Sequence, residues 1–227
     1  MKVLLQIVTS SIGKKWIMGL TGFALVGFII IHMVGNLQIF IGADTLNAYA
    51  KFLKTSNEVL WAFRLGLLAV VSAHILAAIA LVMENNGARP AAYRAEKNPA
   101  SKASRTMIYS GTLVLVFIVF HLLHFTAGRI YPEYFAHNLP PDAEGRADVY
   151  SMVVRGFSIP WVSAFYILSV GLLSWHLSHG VSSMFQSVGL RNKRSAPVLD
   201  ALAILLSVVI FVGMSAVPAA VLLKIVN

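Results

Sequence analysis

Six histidines stand inside apolar runs of this 227-residue chain: His32, His74, His121, His124, His176 and His179. The seventh, His137, falls in a polar connection. An imidazole in a hydrocarbon-embedded helix is costly and usually turns toward an interior site or a partner helix. A hydrogen bond between helices accounts for one or two such groups, but six over four separate runs ask for more. With no cysteine in the chain, disulfides, thiolate metal sites and iron–sulfur ligation by its own residues are excluded. The acidic residues lie in connections or at the ends of runs, so a zinc or di-iron carboxylate site lacks its ligands. Two imidazoles facing one another across a helical bundle suit a six-coordinate haem iron.

The elements that must position these groups are long and apolar. Hydrophobic residues make up 58% of the chain and charged residues only 12%, about half the charged fraction of an ordinary soluble domain. Five runs, 16–42, 61–83, 106–128, 159–185 and 201–223, each exceed the ~20 residues that cross a bilayer. The expected architecture is all-α: a single-domain integral membrane bundle of five transmembrane helices over residues 1–227. Pro90, Pro99, Pro132, Pro140 and Pro141 fall in the connections, where helices break. The opening "MKVLLQIV" has a short apolar core and no small-residue cleavage pattern, and reads as an amphipathic lead-in. No internal repeat or low-complexity segment stands out.

The net charge of +9 suits orientation in a bilayer better than nucleic-acid binding, because the basic residues flank apolar runs. One side gathers eleven basic residues (Lys2, Lys14, Lys15, Arg89, Arg94, Lys97, Lys102, Arg105, Arg191, Lys193, Arg194) against three acidic ones. The other side holds seven against six. The positive-inside rule then predicts a cytoplasmic N-terminus and an outer C-terminus.

Depth divides the histidines. At about 1.5 Å per residue from the outer end of its run, His32 lies about 15 Å deep and His121 about 12 Å. On the same count His74 lies about 20 Å deep and His176 about 24 Å. An outer pair, His32 and His121, and an inner pair, His74 and His176, each join two different helices. Gly27, Gly35, Ser72, Ala73, Gly171 and Gly180 flank the candidate ligands and leave room for a flat macrocycle, although small residues also serve plain helix packing. His124 and His179 each follow a candidate ligand by three residues on nearly the same helix face. Their expected role is to hydrogen-bond a haem propionate or a quinone, the alternative being a backbone carbonyl. Candidate quinone contacts are Lys54, Asn57 and Glu58 at the outer end and Ser10, Ser11 and Lys14 at the inner end; each could equally be a solvated interface residue.

Four stretches, "GFIIIHMVGN", "AFRLGLLAVVSAHILAAIAL", "GTLVLVFIVFHLLHF" and "FYILSVGLLSWHLSHG", resemble the haem-bearing helices of the type B cytochrome b subunit. That subunit is the single-chain membrane anchor of succinate dehydrogenase and quinol:fumarate reductase. The likeness extends to "LNAYAKFLK" and to a histidine-free fifth span. It implies two b haems, ligated by His32 with His121 (distal) and His74 with His176 (proximal). It also implies an iron–sulfur subunit and a flavoprotein subunit as partners, a quinone, expected to be menaquinone, and a bacterial inner membrane. The chain itself would not oxidise succinate; it would anchor the complex and carry its electrons. Some members carry carboxylates within their spans that are linked to proton movement. This chain departs from them, with Ser174 two residues before His176 and no Asp or Glu inside a span. Two other functions fit six intramembrane histidines: the cytochrome b subunit of a nitrate reductase or hydrogenase, and a transporter relaying protons or a metal ion.

Overall fold

The computed structural model describes residues 10–87 and 106–227. The amphipathic lead-in and the basic residues Lys2, Arg89, Arg94, Lys97, Lys102 and Arg105 lie outside them. Among the described residues seven α-helices follow in order: α1 (Ser11–Leu37), α2 (Ala43–Leu53), α3 (Asn57–Gly87), α4 (Met107–His121), α5 (Val149–Phe157), α6 (Pro160–Ser187) and α7 (Ala196–Leu222). Among the described residues, α1, α3, α4, α6 and α7 are long and apolar enough to cross a membrane, so the chain is an all-helical, multi-pass membrane protein. Large side chains such as Phe63, Leu65, Leu76 and Leu168 remain exposed along the spans, as lipid-facing residues must.

Local chemistry sets the boundaries. Ser10 caps α1, its hydroxyl accepting from the Gly13 amide at 3.0 Å, so the first span begins five residues before Trp16. Asp148 caps α5 by accepting from the Ser151 amide at 3.0 Å, and Pro160 opens α6 at a position where its missing N–H costs nothing. The first span closes through Gly42, whose φ of 135° reverses the chain into α2.

The packing is uneven. Antiparallel α6 and α7 form the tightest pair, with Val162, Ser163, Ala203 and Ile210 fully buried. Small residues at Ser169, Ser182 and Ser207 let those backbones approach. Helix α1 packs on α3, α6 and α7, whereas α3 makes its substantial span contacts with α1 alone and α4 with α6 alone. Two hairpins result, α1–α3 and α4–α6, joined through α1 and α6. The seams between α1 and α4, and between α3 and α6, are not closed by direct helix packing.

Each end of the bundle is pinned. At one end Lys14 ion-pairs with Glu84, which also accepts from the Ser11 hydroxyl at 3.0 Å. At the other end, the connection between the third and fourth spans contains α5, docked on α2 by Asn47. Only 1% exposed, Asn47 donates to Asp142 (3.1 Å) and Asp148 (3.2 Å) and accepts from the Tyr150 amide at 2.9 Å. Arg146 then joins Asp142 and Asp44, each at 2.7 Å. Burial works to raise the Asp142 carboxyl. Hydrogen bonds from the backbone and side chain of Arg146, from Asn47 and from the Glu144 backbone outweigh it and leave Asp142 below the usual carboxylate range.

A carboxyl held low contributes stability above its unfolded pKa, and that contribution is lost as pH falls through its folded value. Asp142→Asn should therefore unfold at a lower temperature than wild type at neutral pH, with the gap closing on acidification below about pH 4. Circular dichroism melts of the detergent-solubilised chain across that range test it; a gap independent of pH would remove Asp142 from this role.

Candidate functional site

The histidines meet across the two open seams. His32 on α1 and His121 at the end of α4 face each other with ring centres 5.6 Å apart and planes perpendicular. This pair lies toward the Asp142 end. Toward the Lys14 end, His74 on α3 and His176 on α6 lie within each other's electrostatic reach. All four rings are half-buried, opening on the seams.

The pair nearer Lys14 is oriented by hydroxyls. Thr21 Oγ1 lies 3.0 Å from His74 Nδ1 and donates its own proton to the Ile17 carbonyl at 2.6 Å. Ser110 Oγ lies 3.1 Å from His176 Nδ1 and donates to the Met107 carbonyl at 3.1 Å. A hydroxyl has one proton. With it committed to a carbonyl, each oxygen must accept from the imidazole, so Nδ1 carries the proton and Nε2 keeps a bare lone pair. Among the described residues no hydrogen bond reaches Nε2 of His74 or His176. A glycine lies beside each ring: a Cβ on Gly22 would touch His74 Cε1 at 3.6 Å, and one on Gly111 His176 Cε1 at 3.4 Å, both ordinary contact distances.

Placing these contacts on the chain reveals a pattern that the sequence reading missed. Thr21-Gly22 precedes His32 by ten residues from the glycine, and Ser110-Gly111 precedes His121 by the same ten. Each hairpin therefore has one design. Its first span offers a hydroxyl and a glycine to the histidine of its second span, then presents its own histidine about 15 Å further along. Both facing pairs join equivalent positions of the two hairpins. Between glycine and histidine the two stretches share Phe28 with Phe117 and Ile29 with Ile118 and otherwise differ.

The pair nearer Asp142 is built differently. Tyr166 Oη stands 3.4 Å from His121 Nδ1 and 3.1 Å from His124 Nδ1. Asn36 approaches His32 Nε2 at 3.3 Å while donating to the His32 carbonyl at 2.7 Å. His121 and His124 both turn toward the Tyr166 hydroxyl, with residues Leu122–Thr126 forming a π turn. His124 is 4% exposed, stacks on Phe125 at 4.0 Å and abuts Gly156, where a Cβ would come within 3.1 Å of Nε2.

The remaining candidates are placed as follows. His179 lies within electrostatic reach of Asp200 and Arg191. There Ser182 Oγ donates to Asp200 at 2.5 Å and Arg191 pairs with the same carboxylate at 3.0 Å. Ser10 and Ser11 are occupied by the helix cap and by Glu84. Glu58 accepts from the Ser56 hydroxyl at 2.9 Å in the first turn of α3, and Lys54 lines a pocket at the Asp142 end.

Haem fits this donor set. It consists of imidazole pairs without thiolate or carboxylate, two of the imidazoles carry bare Nε2 atoms, and the helices either side of each pair do not pack on one another.

A protein-family model described as "Succinate dehydrogenase/Fumarate reductase transmembrane subunit" matches residues 84–214, more than half of the chain. The match takes in His121 and His176; His32 and His74 precede it. No curated protein and no solved structure matches the chain.

Tyr166 ties both His121 and His124 to α6. Removing its hydroxyl in Tyr166→Phe should cost about 1 kcal/mol. Gly156→Val, which drives a side chain into His124 and Phe125, should cost about 1–3 kcal/mol. Thermal unfolding of the purified variants measures both, and a Gly156→Val protein as stable as wild type would contradict the packing described.

Proposed function

Because the chain belongs to the succinate dehydrogenase/fumarate reductase transmembrane subunit family, we propose that it is a dihaem anchor. In this reading it passes electrons between the iron–sulfur subunit of its complex and a membrane quinone, menaquinone by resemblance. Two haem b groups are held by His32 with His121 (distal) and by His74 with His176 (proximal). The observation that carries this reading is the pairing of equivalent histidines across both open seams, with the Nδ1 proton of the proximal pair fixed by Thr21 and Ser110.

When bound, each haem would supply a one-electron couple. The chain's own residues set the conditions. His74 and His176 present Nε2, while the Thr21 and Ser110 oxygens hold the Nδ1 protons and raise the basicity of the ligands. The apolar spans exclude water from the seams. Catalysis on succinate belongs to the flavoprotein subunit, and this chain contributes anchorage and conduction.

The Lys14 end faces the cytoplasm of a bacterial inner membrane in this reading, and the iron–sulfur subunit docks there. Lys193 and Arg194, both exposed, are available to it, whereas Arg191 is committed to Asp200. Family membership stands against the transporter alternative and against the nitrate reductase and hydrogenase alternatives.

Two outcomes are expected. Alanine at His74 or His176 should remove the proximal haem, and alanine at His32 or His121 the distal one, each leaving the other, by pyridine haemochrome quantification. Full haem content in any of the four would overturn that ligand. Thr21→Val and Ser110→Ala, by contrast, should retain both haems and raise the proximal midpoint potential in a redox titration, since a less basic imidazole stabilises ferric iron less. A potential unmoved in both variants would leave the hydroxyls with a packing role only.

A further inference from the structure

A pocket of about 350 Å³ opens at the Asp142 end, between the start of α3, the π turn after α4, the 135–137 connection and α5. Its walls include Phe125, Phe135 and Met152, and its polar lining is Lys54, Arg64, His137 and Thr126, with no acidic residue.

The two cations are uncompensated. Arg64 lies seven residues into the α3 span, about 10 Å from its start, where an unpaired charge is costly and marks a site whose partner must be identified. The described ion pairs are Lys14–Glu84, Arg146 with Asp44 and Asp142, and Arg191–Asp200. Neither Lys54 nor Arg64 has a carboxylate in reach among the described residues. Arg64 instead lies 5.2 Å over the Trp61 ring, a contact that leaves its charge intact. Burial, and then the Arg64 charge, lower the Lys54 pKa, as expected for two cations facing a shared space. An anion is what such a pocket lacks.

Phe125 identifies which anion. Its ring lies 6.0 Å from the ring of His121, so the pocket begins one side chain beyond a candidate ligand. Apolar walls with basic side chains suit the carboxylate-bearing edge of a macrocycle rather than a neutral quinone, whose carbonyls need no counter-charge.

We propose that Lys54 and Arg64 form a carboxylate-binding pocket that receives the propionates of the haem held by His32 and His121. Arg64 grips one carboxylate through its planar fork, and Lys54 closes the pocket from the end of α2. This inference rests on the dihaem reading.

The test uses the holoprotein with Lys54→Gln, Arg64→Gln and Arg64→Lys. Haem is quantified, both midpoint potentials are titrated, and the propionate bending bands are followed by resonance Raman. In the Gln variants the distal potential should fall, because an uncompensated propionate favours ferric iron, while the proximal potential stays put and the propionate bands shift. Arg64→Lys should restore the potential but not the wild-type bands. Loss of the distal haem alone from a Gln variant supports the pocket equally. Two haems with unmoved bands and potentials overturn it. Unmoved bands with loss of co-purifying phospholipid, measured as phosphate, assign the cations to a lipid headgroup and overturn it too. A wild-type chain with fewer than two haems defeats the dihaem reading itself.

Discussion

An imidazole in hydrocarbon must dispose of its N–H. Left unpaired, that group costs several kcal/mol; given an acceptor, it fixes the tautomer, the ring orientation and the nitrogen left for other work. Thr21 and Ser110 meet this requirement identically in the two hairpins. Each hydroxyl can accept only because a helix carbonyl takes its own proton, so the backbone of α1 and α4 orients the side chains of α3 and α6. The alternation of tight helix pairs and open seams follows from the same arrangement. Hairpin partners must touch for the hydrogen bond to form, and the ligand-bearing faces of opposite hairpins must not.

The histidines were legible in the sequence because imidazole stands out against Leu, Val and Ile, and counting residues along a helix was enough to sort His32 with His121 and His74 with His176. Thr21 and Ser110 were not legible. Hydroxyl residues are ordinary in membrane spans, where they bond the preceding turn, and only the spatial contact singles these two out. A comparison of "TGFALVGFIIIH" with "SGTLVLVFIVFH" contains the signal, weakly. The π turn over Leu122–Thr126 was not legible either, because hydrophobic periodicity does not mark one.

Span existence was legible, while the first, second and fifth spans start four or five residues earlier than their apolar runs. Ser10, a cap, outweighed the start of the hydropathic run at Trp16. The short helices α2 and α5 depend on Asn47, a buried side chain whose partners Asp142, Asp148 and Tyr150 are about a hundred residues away. Local propensity carries no trace of such a contact, although the Asp148 cap was there to be read.

The division of each facing pair between two hairpins bears on how the protein is made. A chain inserted from its N-terminus places His32 and then His74 in the bilayer while their opposite numbers are still unsynthesised. The His32–His121 pair can close once the third span enters, and the His74–His176 pair only after the fourth. No hairpin can complete a centre alone, so a chain truncated within the 88–105 connection would carry half of two sites and the whole of none. On the proposed assignment, the His32–His121 site has all its histidines one span before the His74–His176 site does.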